Sequence, residues 1–132
     1  TLMMKYLGID YGAKRIGIAV SNHEGAIAFP RKTMANDAQL FASLASLIAE
    51  ERIETIVVGD TRSFSNLANP VTKDAERFIT RLKTETSVPV VSAWEAGSSI
   101  EASRYAPEDS GHSDGAAAAI ILQRFLDMRK RT

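Results

Sequence analysis

Tyr6-Leu7-Gly8-Ile9-Asp10-Tyr11-Gly12-Ala13-Lys14-Arg15-Ile16-Gly17-Ile18-Ala19-Val20-Ser21 is the stretch whose reading decides the fold. An apolar run closes on the carboxylate of Asp10, turns through Tyr11–Lys14, and resumes as Ile16, Ile18 and Val20 alternating with Gly17 and Ala19. Period-two alternation is the mark of a strand, here with one bulky and one small face. Two strands this close in sequence form an antiparallel hairpin. Carboxylates avoid cores unless they are paired or bind a metal. Asp10 is therefore either a hydrogen-bond acceptor for the glycine turn or one member of a cation site.

Outward from the hairpin, a turn at Asn22–Gly25 leads to a third strand over Ala26–Lys32, which Pro30 places at a sheet edge or end. A helix follows over Asp37–Glu51, capped by Asn36 or Asp37, with Leu40, Phe41, Leu44, Leu47 and Ile48 on one face. Thr55–Gly59 reads as a buried strand and Asp60–Asn69 as polar loop. Pro70 opens the next helix, whose stripe is Val71, Ala75, Phe78, Ile79 and Leu82. Val88–Ser92 is a fifth strand, and a short helix over Ser98–Tyr105 precedes a loop to Ser113. The last helix spans Asp114–Lys130 with Ile120, Ile121, Phe125 and Leu126 inward and Arg129, Lys130 and Arg131 complementing its C-terminus. The expected architecture is α/β. A mixed five-stranded sheet, made of an antiparallel three-strand meander plus two parallel strands, is flanked by helices.

With 132 residues the chain has the length of one domain, residues 1–132. Sixteen basic and sixteen acidic residues cancel, which argues against indiscriminate coating of nucleic acid but leaves room for a local basic rim. Cysteine is absent, so disulfides and thiolate metal sites are excluded. No apolar stretch reaches the roughly 20 residues that span a bilayer, and Thr1–Lys5 is too short for a signal peptide.

Three acids lie at element ends that can converge: Asp10, Glu95 just past the fifth strand, and Asp114 at the start of the last helix. Sites in α/β sheets form beyond the carboxyl ends of strands. Carboxylates with open positions suit Mg²⁺ or Mn²⁺, and two such ions about 4 Å apart activate a water and stabilise the leaving oxygen in phosphodiester cleavage. Each acid has a plainer use: Asp114 as a helix cap, Glu95 as an exposed loop acid, Asp10 in the turn. Gly12 either lets a phosphate approach backbone or only makes the turn, and Gly17 permits close packing. Gly12–Gly17 is no nucleotide P-loop, because Ile18-Ala19 stand where Lys-Ser/Thr is required and a strand follows. Lys14 and Arg15, beside Asp10, either meet phosphates, which their position favours, or only keep the turn soluble. His112 is a polar loop residue or a proton shuttle, and Trp94 a packing residue or a base-stacking one.

Gly8–Ser21, Val57-Val58-Gly59 and Ser113–Leu122 together resemble the YqgF family, also called RuvX, of RNase H-like fold. The resemblance covers Lys5 to about Leu126. It implies that Asp10, Glu95 and Asp114 are catalytic and hold Mg²⁺ or Mn²⁺, and that Gly12, Lys14, Arg15, Ser98 and Ser99 meet nucleic acid. It further implies a cytoplasmic nuclease acting on pre-16S rRNA 5′ ends or branched DNA, with ribosomal precursor particles as partners and a monomeric or homodimeric state. Trp94-Glu95-Ala96-Gly97-Ser98-Ser99 stands where the family usually has Asp-Glu-Arg-x-Thr/Ser-Thr/Ser, so the glutamate and hydroxyl pair remain while an acid and an arginine are gone. Gly59-Asp60-Thr61 replaces the usual Gly-Leu-Pro, and the loop from Tyr105 to Ser113 is short. Two other readings compete: a nucleic-acid-binding or assembly module without turnover, and a nucleotide phosphotransferase of the actin and sugar-kinase type, which needs two such domains.

Overall fold

The computed structural model describes residues 4–12, 14–59, 71–92 and 114–130, with backbone alone at 71, 72, 114 and 130. The strands are β1 Tyr6–Asp10, β2 Arg15–Ser21, β3 Ala28–Pro30, β4 Met34–Ala35, β5 Thr55–Gly59 and β6 Val90–Ser92. The helices are α1 Leu40–Glu51, α2 Val71–Glu85 and α3 Asp114–Lys130. The sheet order is β3-β2-β1-β5-β6, with β4 also on β2. β1 meets β2 antiparallel, while β1, β5 and β6 are mutually parallel. The mixed α/β sheet matches the expectation, with the two-residue β4 as an added sixth strand.

The small–large alternation of the hairpin sorts the two faces. Leu7, Ile9, Ile16, Ile18 and Val20 pack with Leu40 and Leu44 of α1 and with Phe78, Ile79 and Leu82 of α2. Tyr6, Ala19 and Val57 face α3 through Ala118, Ile121, Leu122 and Leu126. On α3 the inward set differs from the expected one. Leu122 is fully buried, whereas Ile120 and Phe125 are half-buried, because the helix crosses the sheet at Gly8. A Cβ on Gly8 would lie 2.7 Å from Leu122 Cβ and 3.1 Å from the Ala118 carbonyl oxygen. Close packing of α3 on the sheet therefore rests on Gly8, a position to which the sequence reading assigned no role.

Helix α1 begins at Leu40 rather than Asp37. Asp37 Oδ1 accepts from the Gln39 N–H at 2.9 Å and its carbonyl from the Leu40 N–H at 3.1 Å, so Asp37 closes a turn ahead of the helix. Asn36 is not a cap; it bonds to the first hairpin, as described below. Strands β3 and β6 are shorter than the expected Ala26–Lys32 and Val88–Ser92. The outward N–H groups near β3 are nevertheless occupied. Ala26 N–H donates to Asn22 Oδ1, Ala28 N–H donates to Gln123 Oε1, and Pro30 has none. The expected helix at Ser98–Tyr105, the loop Asp60–Asn69 and Pro70 lie outside the described residues. No described helix is long and apolar enough to cross a membrane.

Glu51, at the end of α1, ties the start of β1 to the end of β3. Its carboxylate accepts from Lys5 Nζ at 2.6 Å and from the Arg31 guanidinium at 2.7 Å. The Lys5 hydrogen bond first, then that of Arg31, hold the Glu51 carboxyl below its ordinary value of 4.5, against an opposing effect of burial. A carboxyl with a lowered folded pKa binds fewer protons folded than unfolded, so its contribution is present above about pH 4.5 and is lost as pH falls through the folded value. Glu51→Gln is expected to cost about 1 kcal/mol at pH 7, the scale of a partly exposed ion pair. In urea titrations the gap between wild type and variant should narrow below that pH; a gap constant from pH 7 to pH 3 would contradict this.

Candidate active site at the carboxyl edge of the sheet

Asp10 closes β1 because the apolar run Tyr6–Ile9 buries completely and the carboxylate is left half-exposed at the rim. Its partner in β5 is Gly59, and one row back Val58 pairs with Ser92 of β6. Three parallel strands thus end at one edge, the position where α/β sheets build sites. Even-numbered residues of β1 face α3, as Tyr6 and Gly8 do, and alternation puts Asp10 on that face. Tyr11, next in sequence, donates its N–H to the Gly59 carbonyl at 2.8 Å and packs its ring against that of Phe78, centroids 5.1 Å apart and planes tilted by 45°. This anchors the chain as it leaves the edge.

Helix α3 runs antiparallel to β1, with Ala118 and Leu122 at Gly8 and Phe125 at Tyr6, ring centroids 5.9 Å apart. Going back four residues from Ala118 to Asp114 advances about 6 Å along the helix. Going from Gly8 to Asp10 advances about 6.6 Å along the strand in the same direction. Counted from Leu122, which also meets Gly8, the advance is about 12 Å, so the backbone of Asp114 stands at the same edge of the sheet as Asp10, at its row or beyond it. The first turn leans toward β3, since a Cβ on Gly115 would lie 2.5 Å from the Arg31 carbonyl oxygen and 3.5 Å from Pro30 Cβ.

The hairpin loop beside Asp10 is tied down by Asn36. Its side-chain amide donates to the Gly12 carbonyl at 2.9 Å, and its backbone N–H donates to the Lys14 carbonyl at 2.9 Å. Lys14 and Arg15 are both exposed, as an approach to phosphate requires. Asn36 carried no signal as a loop clamp in the sequence, because its two partners are more than twenty residues away and are backbone carbonyls. Of the other expected residues, Glu95, Ser98, Ser99, Trp94 and His112 lie outside the described residues, as does the side chain of Asp114. Among the described residues no group of three acidic or histidine side chains gathers to hold a metal. Arg129 stacks its guanidinium 5.2 Å from the Tyr6 ring centre, away from the site.

The family model described as RuvX, Holliday junction resolvase, matches residues 4–128. The chain belongs to this family. Similar relatives include a provisionally named pre-16S rRNA nuclease of Oleidesulfovibrio alaskensis, 39% identical over 95% of this chain and 93% of the relative. One of the same name from Nitratidesulfovibrio vulgaris is 41% identical over 95% and 94%. A third, from Geobacillus thermodenitrificans, is 36% identical over 96% and 100%. Among solved structures, RuvC of Thermus thermophilus superimposes with a TM-score of 0.58 at 19% identity, covering 98% of each chain. RuvC of T. thermophilus in complex with a Holliday junction substrate gives 0.57 at 18% identity, covering 96% of each. At that identity the likeness establishes a shared fold, the RNase H-like one expected for this family.

Proposed function

We propose that this RuvX-family chain is a divalent-metal-dependent nuclease that hydrolyses nucleic-acid phosphodiesters, with Asp10, Glu95 and Asp114 as its acids. One observation carries the reading: the Asp10 carboxylate lies at the edge where three parallel strands end, on the face where the turn beginning at Asp114 stands at the same edge. Connectivity adds Glu95. It follows Ser92 by three residues, a reach of at most about 11 Å, and two strand spacings of about 4.8 Å separate β6 from β1. The donors are hard carboxylate oxygens, which fit Mg²⁺ or Mn²⁺. When bound, such ions supply Lewis-acid stabilisation of the phosphoryl oxygens and an activated water.

The chain's own residues supply the rest. The acids must be ionised to bind a cation, so activity falls in acid. Lys14 and Arg15 hold the phosphate backbone beside Asp10, Gly12 lets it approach, and Ser98 and Ser99 donate hydroxyls. Ala96 cannot grip phosphate as an arginine would. The substrates that fit the relatives' name and the family's are pre-16S rRNA and the Holliday junction; on this reading the RNA cut falls at the 5′ end, on ribosomal precursor particles in the cytoplasm, and the DNA substrate is branched. The test is a cleavage assay on a 5′-extended RNA stem and a four-way DNA junction, with Mg²⁺ or Mn²⁺ and with EDTA. Metal-dependent cutting that EDTA abolishes is expected. Binding that ignores EDTA, with no cutting under either ion, would instead identify a non-catalytic binding module.

A further inference from the structure

The pairing of β2 with its outer neighbour changes register beside Asp10. In β3 the partners are Ala19 with Pro30, Val20 with Phe29 and Ser21 with Ala28, and the Arg31 N–H continues this register by donating to Ile18 at 2.8 Å. In β4 the partners are Ile16 with Met34 and Arg15 with Ala35. The residue numbers of partners sum to 49 in the first set and 50 in the second, so one extra residue lies between them. By this count Gly17 falls opposite both Lys32 and Thr33, the residues that link β3 to β4. This is a β-bulge, a device found beside active sites that re-aims side chains.

The bulge occupies a definite row. Gly17 is the β2 partner of Asp10, so Asp10, Gly17 and the Lys32–Thr33 link between β3 and β4 lie in one row. Counting alternation from Pro30, whose Cβ faces α3, brings Lys32 to the α3 face. Counting back from Met34, which packs on the opposite face, brings Thr33 to the α3 face as well. Without the bulge, Lys32 and Met34 would share a face. Only Gly17, which has no side chain, stands between these residues and Asp10. Two strand spacings, about 10 Å, separate the backbones of Lys32 and Asp10, a gap that a phosphate and a lysine side chain fill. Lys32 and Thr33 are exposed, and Lys32 has no ion-pair partner among the described side chains.

We propose that the β-bulge at Lys32–Thr33 aims the Lys32 ammonium into the Asp10 row, where it binds a substrate phosphate adjoining the scissile one. The assignment rests on the nuclease reading and extends it to a residue with no motif in the sequence. Lysine acts at such a position as a point charge on phosphate oxygens. The cationic rim is then three-membered, with Lys14 and Arg15 at the hairpin and Lys32 at the bulge.

The test measures binding at several salt concentrations to a four-way DNA junction and to a 5′-extended RNA stem. Asp10→Asn serves as the non-cleaving parent. Adding Lys32→Ala is expected to weaken binding about fivefold to tenfold and to reduce the salt slope by about one. Lys32→Arg should keep both, and Lys83→Ala, on the exposed side of α2, should change neither. A loss on one probe alone tells which nucleic acid the lysine contacts. An unchanged salt slope with Lys32→Ala on both probes overturns the proposal, and so does a loss that Lys32→Arg fails to prevent. If the wild type cuts under Mg²⁺ while Lys32→Ala binds normally, the inference fails alone. If the parent binds neither probe and the wild type cuts neither, both readings fall.

Discussion

Asp10→Asn is expected to lower phosphodiester cleavage about a thousandfold and to leave the fold intact. The amide has the size of the carboxylate and keeps a hydrogen-bonding oxygen, but it loses the negative charge that draws a hard cation. A thousandfold corresponds to about 4 kcal/mol of activation free energy, within the several kcal/mol that cation assistance supplies. The stability cost should be small, because Asp10 is half-exposed at the end of β1 rather than enclosed among the fully buried Leu7 and Ile9. Cleavage rates and thermal unfolding of the two proteins decide the matter. A variant that cuts at the wild-type rate removes Asp10 from the chemistry; one that has lost its melting transition marks it as structural.

Gly8→Val is expected to destabilise the protein by about 3 kcal/mol, the upper range for inserting atoms into a packed core. The first added carbon would already lie 2.7 Å from Leu122 Cβ and 3.1 Å from a backbone oxygen of α3, and neither is the free end of a flexible chain. Replacing a strand glycine recovers only about 0.5–1 kcal/mol of backbone entropy, so the clash dominates. The midpoint should fall by roughly 10 °C for a chain of this size. Because α3 carries Asp114 at its start, the helix can relieve the overlap only by lifting, and cleavage should fall even below the new midpoint. Gly17→Ala is the informative contrast. A larger stability loss there than at Gly8 would mean that the helix–sheet contact has been assigned to the wrong glycine.

The difference between these glycines shows how much was legible in the chain. Alternation of Ile16, Ile18 and Val20 with Gly17 and Ala19 announced the hairpin, and the strand ending in Asp10 announced a carboxylate at the sheet edge. Both signals are local, since a period of two repeats within a few residues. The stripe Ala75, Phe78, Ile79 and Leu82 likewise marked the face of α2 that is buried. What failed was contact between distant segments. Nothing in the sequence marks Gly8 as a contact point, and only the crossing point of α3, with Leu122 and Ala118 against it, makes a side chain there untenable. Asn36 and Asp37 read as equivalent caps, yet one clamps the Gly12–Lys14 loop and the other closes a turn.

The sequence by itself determined the order and type of the described elements other than β4, the strand-terminal carboxylate and membership of the RuvX family, because periodicity and short motifs are written within one segment. Only the tertiary structure decided that β1, β5 and β6 end together, that α3 begins at the same edge as Asp10, and that a one-residue register change sets Lys32 and Thr33 beside Gly17. Those facts follow from strand register and helix crossing, and both depend on how side chains from remote segments pack in space.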